Sequence, residues 1–220
     1  MTISHPLGSD SDSDIGAFKD PRSDPVFGVL AHGVKGMARR RLLAMRDELA
    51  EDLRSANDRR ISEHLLGLLG RVLDLDRPPC KIGGYWPVRS EPDLRPLYME
   101  LSRAGHRIGL PLIEERKLPL AFVLWKPYSA MASGKFGIPV PTSGKAVHVE
   151  LLLMPCVGFY IAPDGQRYRL GYGGGYYDRT LAARRIKTIG VAYAAARLET
   201  FEPAPHDVPL DHIVTEEGVF

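Results

Sequence analysis

The chain has 220 residues, 44% apolar and 25% charged, an ordinary soluble composition and enough chain to bury roughly 70% of its unfolded surface. A net charge of +2 argues against a partner such as nucleic acid or an anionic membrane, and two cysteines, Cys80 and Cys156, exclude a disulfide scaffold and fit a reducing compartment. The longest apolar run, from Leu151 to Ala162, is interrupted by Pro155 and falls short of a membrane span; with no charged-then-apolar leader at the N-terminus, the expected setting is cytoplasmic.

Residues 1–32 differ from the rest. The run Gly8-Ser9-Asp10-Ser11-Asp12-Ser13-Asp14, followed by Pro21 and Pro25, offers little to bury, so it reads as a flexible N-terminal extension, with an acidic docking tail as the alternative. Residues 33–220 show no internal repeat and no composition break, and read as a single domain. A helix is expected from Val34 to Leu53, where Leu42, Leu43, Met45, Leu49 and Leu53 recur opposite a basic face. A second is expected from Asp58 to Leu73, with Ile61, Leu65, Leu68, Leu69 and Val72 as its inner stripe; Ser55 and Asp58 give a weak capping signal between the two. Strands follow at Lys81–Trp86, Arg107–Leu112, Leu120–Trp125, Val147–Pro155, Thr188–Tyr193 and His212–Val214, with helices at Asp93–Ala104 and Tyr176–Arg185. Such alternation predicts an α/β fold: one three-layer domain with a central, mostly parallel sheet flanked by helices. In these sheets ligands gather at the carboxyl ends of the strands.

The sharpest local feature is Arg169-Leu170-Gly171-Tyr172-Gly173-Gly174-Gly175-Tyr176-Tyr177-Asp178-Arg179. Glycines at this density permit backbone torsions and close approaches that side chains forbid. A helix begins directly after them, so its free N–H groups and positive dipole end would face whatever sits on the loop, which suits phosphate. Asp178 lies where a carboxylate could hold a magnesium ion bridging phosphates. The plainer reading is a glycine-rich turn with an aspartate at a helix start. Tyr176 stands where a dinucleotide fingerprint would need its third glycine, and neither Gly134-Lys135 nor Gly144-Lys145 completes a P-loop. A valine at Gly174 would be expected to block the loop and resist a positive φ.

This segment resembles the signature of the 5-formyltetrahydrofolate cyclo-ligase (5,10-methenyltetrahydrofolate synthetase) family, a glycine-rich stretch followed by Tyr-Tyr-Asp. Five further segments match in order: the basic spacing of Lys35, Arg39 and Arg46; Ser90-Glu91-Pro92-Asp93; Gly109-Leu110-Pro111; Phe122 and Trp125 with Phe136-Gly137-Ile138-Pro139; and His206-Asp207-Val208-Pro209-Leu210-Asp211. The resemblance spans about Lys35 to Thr215. It implies an ATP- and Mg²⁺-dependent conversion of 5-formyltetrahydrofolate, which could be polyglutamylated, to 5,10-methenyltetrahydrofolate, ADP and phosphate through a phosphorylated formyl group. Such chemistry is chiefly positioning and charge neutralisation.

On that resemblance Lys35 and Arg39 reach the ATP phosphates, while Arg169, Gly171, Gly173, Gly174, Gly175 and Tyr176 complete the nucleotide site. Asp178 holds Mg²⁺. Glu91 binds the pterin, Tyr177 contacts the substrate and Trp125 walls the folate pocket. For each there is a bland alternative: a solvated basic face for the cations, a solvated turn for Glu91, and core packing for the aromatics. His206, Asp207 and Asp211 read as a structural loop near the nucleotide rather than a metal site. Three positions depart from the family pattern. Val140 and Tyr160 stand where relatives usually have acids, and Ala38 where a leucine would pack the first helix on the sheet. These departures keep open a paralogue that binds nucleotide or folate without turnover. A monomer or weak homodimer is expected.

Overall fold

The computed structural model describes residues 33–75, 79–115 and 118–220; the expected extension, 1–32, lies outside the described residues. In chain order come α1 (Val34–Asp47), α2 (Glu51–Val72), β1 (Lys81–Gly83), α3 (Arg95–Arg103), β2 (Arg107–Leu112) and β3 (Ala121–Trp125). A hairpin of β4 (Met131–Ser133) and β5 (Pro139–Pro141) follows, then β6 (Leu151–Pro155) and a second hairpin of β7 (Gly158–Ile161) and β8 (Arg167–Leu170). The chain ends with α4 (Tyr176–Ala183), β9 (Lys187–Val191), β10 (His212–Thr215) and β11 (Gly218–Val219).

Seven strands form the central sheet in the order β11-β10-β9-β6-β1-β2-β3. The pairings from β10 through β9, β6 and β1 to β2 are parallel, and only the two edges are antiparallel. The expected α/β architecture is thus observed. Leu151 and Leu153 of β6 face one side, with Ile61, Leu65, Leu68 and Leu69 of α2 and Leu97, Tyr98 and Leu101 of α3. Leu152 and Met154 face the other, where Tyr177 and Leu181 of α4 pack. Burial on both faces explains why β6 reads as an unbroken apolar run rather than an alternating one. Each fully buried leucine contributes roughly 1.5–3 kcal/mol.

The first two helices divide elsewhere than expected. The break falls at Glu48–Ala50, because Ala50 is extended (φ −59°, ψ 145°) and Glu51 and Asp52 open α2 with the carboxylates that suit its positive end. Ser55 is therefore inside α2, and Leu53 is an exposed residue of that helix. β1 stops at Gly83 and β6 starts only at Leu151, both shorter than the apolar pattern suggests. Helix α1 does not pack on the sheet. Its Leu42 and Leu43 close a small separate core with Val157 and Leu170 of the second hairpin, and Ala38 lies at the edge of that core.

From β1 the chain steps outward to β2 and β3, then returns to place β6 on the opposite side of β1 and continues to β9 and β10. The order reverses between β1 and β6. A crevice opens beyond the carboxyl ends of two such strands, and ligands of open α/β sheets bind there.

Candidate active site at the sheet reversal

A cavity of about 400 Å³ occupies that crevice. The segment after β1 contributes Tyr85, Trp86 and Glu91, the ends of β2 and β6 contribute Pro111 and Pro155, and the first hairpin contributes Phe136, Ile138 and Val140. The glycine loop, the start of α4 and the cations Lys35 and Arg39 of α1 close it. Eleven of the twelve residues singled out from the sequence as site candidates line this one space. Trp125 does not. It is 6% exposed, in the core beneath α3, with its ring edge-on to Tyr98 at 6.3 Å. Strand alternation explains this: Phe122 and Trp125 are three apart and point to opposite faces. The tryptophan on the cavity is Trp86, with the Arg95 guanidinium 5.3 Å over its ring.

Part of the cavity lining is cationic. Arg39 Nε donates to the Gly171 carbonyl at 2.7 Å, and Arg179 Nη2 to that of Gly174 at 3.0 Å. Arg169 lies over the Tyr177 ring at 4.8 Å, with Nη2 3.7 Å from Asp178 Oδ2. A Cβ on Gly171 would collide with that guanidinium, so glycine is what lets it lie along the loop. Gly173 (φ +100°) and Gly175 (φ +65°) are left-handed; Gly174 is not, so its predicted torsional role belongs to its neighbours. Burial lowers the pKa of Arg39, and Asp207 opposes this while the charge of Arg169 adds to it. Crowded, partly dehydrated cations of this kind focus a positive potential into the crevice.

Lys35 Nζ donates to Asp207 Oδ2 at 2.6 Å and sits 4.4 Å over the Phe201 ring. Burial alone would raise the Asp207 pKa. The Lys35 hydrogen bond, the Ala204 N–H and the Lys35 charge together hold it below the usual carboxylate value. Its stabilising contribution is therefore complete above about pH 4, the unfolded value, and is lost as pH falls through the lower folded value. Thermal melts from pH 7 down to pH 3 should show Asp207→Asn less stable than wild type at neutral pH, with the gap closing in acid. A gap independent of pH would remove the ion pair from the account.

Glu91, also on the lining and 4% exposed, accepts Val88 N–H at 2.9 Å and the Tyr172 hydroxyl at 2.8 Å. Its inward turn is formed by Arg89 and Ser90 at φ +49° and +57°, a conformation that costs of order 1–3 kcal/mol per residue and is held by surrounding contacts. Burial raises the Glu91 pKa, against the pull of Arg46, the Val88 N–H and the Tyr172 hydroxyl.

A family model described as the 5-formyltetrahydrofolate cyclo-ligase family matches residues 31–216. The chain belongs to the 5-formyltetrahydrofolate cyclo-ligase family. It is 31% identical over 195 residues to the 5-formyltetrahydrofolate cyclo-ligase of Mycolicibacterium smegmatis, covering 82% of this chain and 93% of that protein. It is 32% identical over 139 residues to the Escherichia coli K12 cyclo-ligase, 59% of this chain and 74% of that one. Among solved structures, 5,10-methenyltetrahydrofolate synthetase from Aquifex aeolicus superimposes with a TM-score of 0.68 at 31% identity, over 85% of this chain and 92% of that one. The Mycoplasma pneumoniae synthetase gives 0.65 at 25% identity, over 84% and 99%.

The structure also brings to the site positions that the sequence did not single out as site residues. Tyr172, inside the cyclo-ligase loop, and Arg46, noted only for its spacing, both bear on Glu91. Arg179 of α4 and Lys135 and Phe136 of the first hairpin also line the cavity, with Phe136 edge-on to Tyr176 at 6.3 Å. Of the three departures from the cyclo-ligase pattern, only Val140 reaches the site; the Tyr160 ring packs against Phe201 at 6.1 Å. Asp211 is occupied with Thr188, accepting from its backbone N–H at 2.7 Å and its hydroxyl at 3.0 Å. Burial pushes the Cys156 thiol up to about 12, too high for a nucleophile at neutral pH.

Among the described residues no group of three or more His, Cys, Asp or Glu side chains could cage a metal. Magnesium does not need one, because it is commonly held by one or two carboxylates, substrate phosphates and water. Asp178, on the cavity lining beside the glycine loop and Arg169, fits that mode.

Proposed function

We propose that this cyclo-ligase converts 5-formyltetrahydrofolate to 5,10-methenyltetrahydrofolate, with ATP cleaved to ADP and phosphate. The observation that carries the reading is one cavity lined by cations, a glycine loop and a buried, oriented carboxylate together. Lys35, Arg39, Arg169 and the loop N–H groups neutralise the triphosphate, and Asp178 holds Mg²⁺. The ion, when bound, spreads the charge that develops on the phosphates. Glu91 accepts adjacent pterin N–H donors, which fixes the formyl oxygen toward the γ-phosphorus. That oxygen attacks phosphorus and ADP leaves, giving an imidate phosphate. Folate N10 then attacks the formyl carbon, its proton is lost, the C–O bond breaks and phosphate departs. Tyr176 and Tyr177 flank the space and help to exclude water.

The test is a direct assay of purified protein with ATP, Mg²⁺ and 5-formyltetrahydrofolate, following the near-ultraviolet absorbance of the methenyl product. Product that depends on both ATP and Mg²⁺ is expected. Folded protein that neither binds ATP nor forms product would sink the proposal.

Val140 favours a second reading, a nucleotide- or folate-binding relative without turnover, because it puts an isopropyl group on the cavity wall where the resemblance leads one to expect an acid. A carboxylate gained there is worth roughly 1.5–3 kcal/mol, about ten- to a hundredfold in affinity. If the wild type turns over, Val140→Glu should lower the KM for folate or the Mg²⁺ requirement by about tenfold. If only the variant turns over, the second reading stands.

A further inference from the structure

Helix α1 buries an arginine that does not line the cavity. Arg46 is 6% exposed, donates from Nε to the Arg89 carbonyl at 2.9 Å and from Nη2 to the Tyr172 hydroxyl at 2.6 Å, and leaves Nη1 without a partner. The same hydroxyl donates to Glu91 Oε1 at 2.8 Å. A guanidinium taken out of water needs a nearby anion, and removing that anion leaves an uncompensated buried charge. The carboxylate that acts on Arg46 is that of Glu91, one hydroxyl away.

We propose that Arg46 and Tyr172 are positioning residues that hold the Glu91 carboxylate ionised and correctly turned for the pterin. This rests on the reading of Glu91 as the folate-binding carboxylate. The groups facing Glu91 come from every surrounding element: Arg46 of α1, Tyr85 and Arg89 of the segment after β1, Tyr98 of α3, Cys156 after β6, and Tyr172 and Tyr177 around the glycine loop. Burial raises the pKa of all four tyrosines and the cysteine, so they stay neutral through the working range. Arg89 is also paired with Asp47, at 3.7 Å. Arg46 is thus the cation committed to Glu91, and Tyr172 transmits its influence while fixing one carboxylate oxygen. Because Tyr172 belongs to the glycine loop, the same contact ties the geometry of the phosphate end to that of the pterin end.

The experiment measures the Kd for 5-formyltetrahydrofolate without ATP, by quenching of tryptophan fluorescence, from pH 6 to pH 9. Wild type, Arg46→Met, Arg46→Lys, Tyr172→Phe and Glu91→Gln are compared, with melting temperatures in parallel. Arg46→Met should weaken binding tenfold or more at pH 7 and recover as pH rises, an upward displacement of the binding profile by at least one unit. Tyr172→Phe, which preserves the ring, should displace it in the same direction by less, and Arg46→Lys should restore most of the wild-type profile. Variants that melt lower but keep the wild-type profile would overturn the proposal and leave Arg46 a structural residue. If Glu91→Gln binds folate as tightly as wild type, the reading of Glu91 itself falls, and the proposal with it.

Discussion

Asp178→Asn is expected to leave the fold intact and lower Mg²⁺-dependent turnover by about a hundredfold. Asparagine keeps the shape of the side chain and removes its charge. A charge-assisted contact is worth roughly 1.5–3 kcal/mol, and 2.7 kcal/mol corresponds to about a factor of one hundred. The competing role, a carboxylate in the first turn of α4, contributes about 1 kcal/mol or less to stability and nothing specific to chemistry. The 3.7 Å approach to Arg169 is too long to carry much more. Turnover at saturating Mg²⁺ beside a thermal melt separates the two. Normal turnover with a slightly lower melting temperature would assign Asp178 to the helix alone.

Gly173→Val should cost ATP affinity about ten- to a hundredfold. At φ +100° glycine occupies backbone space that a β-branched residue does not adopt without strain of order 1–3 kcal/mol. A loop relaxing from that strain would pull the Gly171 carbonyl from Arg39 and the Tyr172 hydroxyl from Glu91, contacts of 2.7 and 2.8 Å made by the two residues before Gly173. The same substitution at Gly174 should do less, because a Cβ there meets only the edge of the Tyr176 ring at 3.0 Å. Calorimetric titration with ATP on both variants checks the ranking. Equal affinities for wild type and Gly173→Val would take the loop torsions out of nucleotide binding.

The architecture was legible because the physics that forms it is repetitive. Ile61, Leu65, Leu68 and Leu69 announce one face of a helix, and the apolar run at Leu151–Pro155 announces a strand buried on both sides. The loop was legible because few functions need glycine at 171, 173, 174 and 175 followed by a helix. The short hairpins left weaker traces. A three-residue strand such as Met131–Ser133 has no period to detect, and Pro139 and Pro141 argue against pairing that occurs at an edge. The face that Trp125 takes is not legible, because an aromatic in a strand carries no mark of its side until the register is known. Arg46 escaped for a different reason. Its cost and its reward both depend on Glu91, forty-five positions away, and nothing local to α1 separates a buried arginine from its solvated neighbours Arg40 and Arg41.

The small core beneath α1 is a narrow seam in the scaffold. Four buried side chains, Leu42, Leu43, Val157 and Leu170, join that helix to the second hairpin, a far thinner seam than the one between α2 and the sheet. Lys35 and Arg39 stand on one side of the seam, and the glycine loop that leads into α4 lies on the other. If the proposed function holds, a triphosphate gripped from both sides would act as a rivet across it, joining α1 to the glycine loop. On that reading, nucleotide should protect the amides of α1 from hydrogen exchange more than those of α2, whose seam with the sheet is already broad.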